Sequence, residues 1–133
     1  MTDMAHATAV ACTEGSDRGK LSFPDVIGLL GAAGIERYHA DLLRAEKTYY
    51  RPDGWSTVVA AEPLAHAPAG RFDAAGVAAA IGAVQRRAID YGGFCARIAA
   101  AGCVGYHVTL AGRRAVYYGR DGACHVELFP ATD

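Results

Sequence analysis

The stretch "AAGIERYHADLLRAEKTYYRPDG" occupies residues 32–54, and "AAGCVGYHVTLAGRRAVYYGRDG" occupies residues 100–122. Ten of the twenty-three aligned positions are identical, without a gap, at a constant offset of 68 residues. A passage written twice in a chain of 133 residues points to internal duplication, so the reading of one copy can be tested against the other.

Working outward from the first copy, "SFPDVIGLLGAAG" opens with Ser22 and has Asp25 three residues on, a capping-box variant. Pro24 sits in the first turn, where a missing N–H costs nothing. Val26, Ile27, Leu29, Leu30 and Ala33 recur at helical spacing, and Gly34 follows them as a terminator. The sequence thus predicts a helix over 22–33. "IERYHADL", "EKTYY" and "WSTVVAA" alternate or carry β-favouring residues, and "RPDG" supplies a turn between the last two. The second copy reads in the same order. "YGGFCARIAAAG" is a helix closed by Gly102, and "CVGYHVTL", "RRAVYY" and "ACHVELF" are strands.

A further helix, "FDAAGVAAAIGAVQRRAI", precedes the second copy, with Asp73 as N-cap and Phe72 and Val77 placed as a hydrophobic staple. Its counterpart at the same offset is residues 4–21, a weaker helical segment interrupted by Gly15, Ser16 and Gly19. The pseudo-repeat copies span about 4–60 and 72–129. Residues 60–71, with two prolines, form the linker between them. The expectation is an α+β fold: a two-layer α/β sandwich in one domain over 1–133. Its helices cover one face of an antiparallel or mixed sheet, and residues 22–60 superpose on 90–128.

Composition bounds the class. The chain is 52% hydrophobic and 20% charged, with a formal net charge of −1, which reads as globular and gives no electrostatic footprint for nucleic acid or an anionic membrane. Cys12, Cys95, Cys103 and Cys124 form no C-x-x-C pair, so zinc-knuckle and thioredoxin-type spacings are missing. The start of the chain lacks the basic n-region of a signal peptide, and no apolar run reaches the length of a membrane-spanning helix. The expected location is the cytoplasm, with reduced thiols.

The segments "GIERYHADLLRAEKTYYRPDG" and "AGCVGYHVTLAGRRAVYYGRDGACHVELFP" resemble the YbcV/YdfO-like family, small bacterial and prophage proteins of unknown function sometimes labelled "phage envelope protein". The resemblance covers roughly residues 20–130, and its distinctive part runs from Gly105 to Pro130. It implies an α+β two-layer fold and brings neither catalytic residues nor a cofactor.

Strand alternation places Tyr38, Tyr106, Val108, Leu110, Val126 and Leu128 against the helices. The same alternation sends His39, Asp41, His107, His125 and Glu127 to the open face, with Tyr118 and Arg120 as neighbours of the last two. Cys124 falls on the core phase. Three readings of that face stand side by side. It is a solvated or dimer-forming surface, or a shallow binding site with tyrosine walls and polar anchors. Alternatively it is a metal or acid–base site, because H-x-D and H-x-E place imidazole and carboxylate on one side of a strand. The expected function is a small-ligand or protein binding module, homodimeric through a sheet face or edge. The alternatives are a small enzyme using His107, His125 and Glu127, or a phage-derived regulator that binds a host protein. No cofactor or metal is assigned. His6 and His66 read as solvated residues of a tail and a linker.

Overall fold

The computed structural model describes residues 3–130. Four helices and six strands follow the duplicated order. The first unit holds α1 (Met4–Asp17), α2 (Phe23–Ala32), β1 (Arg37–Asp41), β2 (Glu46–Tyr50) and β3 (Ser56–Ala60). The second holds α3 (Ala74–Gln85), α4 (Tyr91–Ala100), β4 (Cys103–Thr109), β5 (Arg114–Gly119) and β6 (Cys124–Leu128).

The local signals act where expected. Ser22 Oγ accepts from Asp25 N–H, and the Asp25 carboxylate accepts from Ser22 N–H, closing a capping box. Asp3, Asp73 and Asp90 cap the other three helices by accepting from the N–H groups of His6, Gly76 and Gly93. Gly34 and Gly102 follow α2 and α4 with φ of 79° and 85°, left-handed values that suit glycine. The weak N-terminal segment is helical as far as Asp17, and Gly15 and Ser16 lie inside that helix.

All strands join one antiparallel sheet in the order β3-β2-β1-β4-β5-β6. The two units meet at β1 and β4, and the register there pairs His39 with His107. These are equivalent residues of the two copies, so a pseudo-twofold axis crosses the sheet at that pair. The copies thus build one continuous sheet, which leaves two edge strands where separate units would leave four.

The helices cover one face of the sheet. Tyr38, Tyr49, Tyr106 and Tyr117 point at them and are buried with Leu30, Val77, Phe94, Ile98 and Val108. The duplication reaches into this core: Tyr38 and Tyr49 have ring centroids 5.2 Å apart, and their counterparts Tyr106 and Tyr117 are 5.1 Å apart. Buried hydroxyls are paired, Tyr49 with Thr13 at 2.7 Å and Tyr91 with Tyr106 at 2.7 Å.

One strand reverses the expected phase. On β6 it is His125 and Glu127 that lie on the helix side, opposite Tyr117 and Ala115, while Val126 and Leu128 are 47% and 60% exposed on the open face. Cys124 is likewise exposed beside Tyr118 rather than buried. The hairpin dictates this. Tyr118 pairs with Cys124, and residues opposite one another in an antiparallel ladder share a face. Leu110 lies past the end of β4 and is half-buried. His6 belongs to α1 and is exposed, with Nδ1 2.6 Å from Thr57 Oγ1.

Candidate functional site

The ladder registers lay out the open face as three rows of six residues. One outer row reads Ser56, Tyr50, Arg37, Thr109, Arg114, Leu128. The middle row reads Val58, Thr48, His39, His107, Val116, Val126. The other outer row reads Ala60, Glu46, Asp41, Gly105, Tyr118, Cys124. One outer row therefore carries both arginines and the opposite one both carboxylates.

His39 and His107 lie at the centre, with ring centroids 5.0 Å apart. The Tyr118 ring stacks on His39 at 5.9 Å, and its hydroxyl comes within 2.6 Å of His39 Nε2. The phenol donates when the neutral imidazole carries its proton on Nδ1. Tyr118 reaches across because Gly105 stands between the two strands. A Cβ on Gly105 would sit 2.5 Å from Tyr118 Oη and 2.8 Å from the Ala40 carbonyl oxygen.

The first copy solves the equivalent position differently. Arg37 stands where the second copy has Gly105, and its guanidinium lies 3.9 Å from the centroid of the Tyr50 ring, a cation–π contact. Tyr50 is thus held by Arg37 while its counterpart Tyr118 bonds His39. The pseudo-symmetric centre is chemically lopsided.

Burial pushes the His107 imidazolium below the usual histidine range, and His39 and Arg37 push the same way, so His107 favours the neutral form. Burial raises the Tyr118 phenol, helped by Asp41 and Cys103. Asp41 also serves locally, its Oδ1 accepting the N–H groups of Leu43 and Arg44 that turn the chain into β2.

The structure thus brings together His39, His107, Tyr118 and, one row away, Asp41. His125 and Glu127 are separated from this group by the thickness of the sheet, and they contact each other at 3.0 Å on the helix side. Arg120 is exposed in the β5–β6 turn. Among the described residues no group of three or more His, Cys, Asp or Glu side chains is arranged to hold a metal ion. Arg37 and Tyr50, which sequence reasoning left out of the site, belong to it, in the outer row beside His39 and Thr48. Their signal was the phase they share with His39 and Thr48. A broad groove of about 690 Å³ lies elsewhere, between the start of α1, the end of α2 and the Arg51–Trp55 turn.

No protein-family model and no curated protein matches the chain. No helix among the described residues is long and apolar enough to cross a membrane.

Proposed function

We propose that the protein is a binding module whose open sheet face pairs with the same face of a second copy. The observation that carries this reading is the row arrangement. A twofold axis lying in the face along the middle row leaves each strand over its counterpart and exchanges the outer rows. Arg37 then meets Asp41 of the second copy, and Asp41 meets its Arg37, an isologous contact. An axis along the strands instead lays each row on itself, setting Arg37 over Thr109 and Arg114 over Tyr50, so neither arginine meets a carboxylate.

Two further features support it. Val58 and Val126, equivalent residues at the two ends of the middle row, are 55% and 47% exposed, and they give the margins apolar area to bury. A face six strands wide and about five residues long measures roughly 29 Å by 17 Å, or about 1,000 Å² counting both copies. That area suits a modest, reversible dimer. Paired sheets with outer helices form a four-layer sandwich with the imidazoles at its centre.

The test uses charge reversal and mixing. Arg37→Glu and Asp41→Arg variants each place like charges across the interface and should be monomeric. Mixed in equal amounts, they restore opposite charges at both contacts and should dimerise. Failure of the mixture to associate while the wild type does would contradict this geometry.

A further inference from the structure

The chain contains two lysines, Lys20 and Lys47. Lys20 is exposed just beyond α1. Lys47 lies on β2 and points between sheet and helices, only 4% exposed. Burying an ammonium is expensive unless it is paired. Yet Lys47 makes no salt bridge among the described residues, and its surroundings are chiefly aromatic. Its Nζ lies 4.3 Å from the centroid of the Tyr91 ring and 5.7 Å from that of Tyr38.

The fold does not require a lysine there. Its counterpart 68 residues on is Ala115, which is buried at the equivalent place on β5. The neighbours differ in the same sense. Tyr91 and Cys95 on α4 correspond to Phe23 and Ile27 on α2, and Asp17 to Gln85. Residues of both copies gather an amine, a thiol, a phenol and a carboxyl here, where the pseudo-symmetric place has Ala115, Ile27, Phe23 and Gln85.

Lys47 also lines a cavity of about 20 Å³, shared with Asp17, Glu62, Leu64, Tyr91 and Cys95. Every fully buried side-chain nitrogen and oxygen among the described residues has a hydrogen-bond partner. Lys47 makes no hydrogen bond among the described residues, so its Nζ is not fully enclosed, and the residue lines that cavity. The space suits one water molecule or a group of similar size.

We propose that Lys47 is a reactive amine that captures formaldehyde, the aldehyde nearest to water in size, as a Schiff base. The amine lone pair attacks the carbonyl carbon, a C–N bond forms, and the C=O π pair moves to oxygen, which takes up a proton. The carbinolamine then loses its hydroxyl with the remaining amine hydrogen as water, leaving the imine. No oxidant or reductant enters the step. Burial supports it by pushing the Lys47 ammonium below the usual lysine range, although Cys95, Asp17 and Cys12 act in the other direction. A neutral amine is the nucleophile in such chemistry. Burial likewise raises the Asp17 carboxyl, so it holds a proton more readily than an ordinary aspartate.

The two lysines make the experiment internally controlled. The folded wild-type protein is treated at neutral pH with formaldehyde and cyanoborohydride, which reduces the imine to a stable N-methyl amine. Peptide mapping then separates Lys47, Lys20 and the N-terminal amine. A lowered pKa leaves more of an amine neutral at a given pH, so Lys47 should be modified severalfold faster than Lys20 despite the greater exposure of Lys20. Benzaldehyde, too large for the cavity that Lys47 lines, should lose that preference. Modification of Lys47 no faster than Lys20, or only after urea unfolding, would overturn the proposal.

Discussion

His39 and Tyr118, 79 residues apart in the chain, meet at 2.6 Å across the backbone of Gly105. The contact joins the two copies through a position where they differ, glycine in one and arginine in the other. It fixes a phenol and an imidazole at the middle of a six-stranded face.

Gly105→Ala tests that relationship. The added methyl meets both Tyr118 and the Ala40 carbonyl oxygen, so the phenol must swing away and the β1–β4 pairing must shift. Overpacking of this kind costs about 1–3 kcal/mol. Tyr118→Phe keeps the ring and removes only the hydrogen bond, about 0.5–1.5 kcal/mol. Urea denaturation should rank the alanine variant below the phenylalanine variant.

The aliphatic core between the layers should be sensitive to truncation. Ile98 on α4 is fully buried among the core residues, so Ile98→Ala should cost about 2–5 kcal/mol. Leu128→Ala, at an exposed site on the open face, should change monomer stability by less than about 0.5 kcal/mol. Urea denaturation at low protein concentration compares the two.

Lys47 gives stability a pH dependence of known sign. Its native pKa is depressed, so between that value and the ordinary one near 10.5 the unfolded chain binds more protons. Stability therefore rises with pH across that window on account of this group. Buried tyrosines and the thiols of Cys12, Cys95 and Cys103, whose native pKa values are raised, act oppositely at alkaline pH. Comparison with Lys47→Met isolates the lysine. Unfolding free energies at pH 7 and pH 9.5 should show the difference moving in favour of the wild type at the higher pH.

His107 makes the same kind of prediction for association. Its native pKa lies below the usual histidine value, so protonating it costs more in the fold than in the unfolded chain. Covering the face deepens that desolvation. Dimer dissociation should therefore increase as the pH falls from about 7.5 to 5.5, the range in which histidine titrates. His107→Gln should flatten the response, as read by light scattering.

Much of this architecture is legible in the chain. The 68-residue offset, the Ser22 and Asp73 caps and the glycines after α2 and α4 fix the order of elements. Alternation in "RYHAD" and "YHVT" sets the faces of β1 and β4 correctly. It misleads on β6, where "CHVEL" alternates but the edge position leaves its aliphatic side uncovered. Two signals pointed to the observed phase. The hairpin register couples Cys124 to Tyr118, and Glu127 aligns with Val59, which is buried on the helix side. The pairing of Arg37 with Tyr50, and the seat of Lys47 beneath Tyr91, depend on neighbours from other strands and helices that no spacing rule supplies.

Sedimentation equilibrium tests whether the open face binds a second copy. At rising concentration the wild-type chain of 13.9 kDa should shift toward twice its mass. A Val58→Glu, Val126→Glu variant, altered only on the open face, should remain at the monomer mass. A wild type that stays monomeric at every concentration, or a variant that dimerises equally well, would rule out pairing through this face.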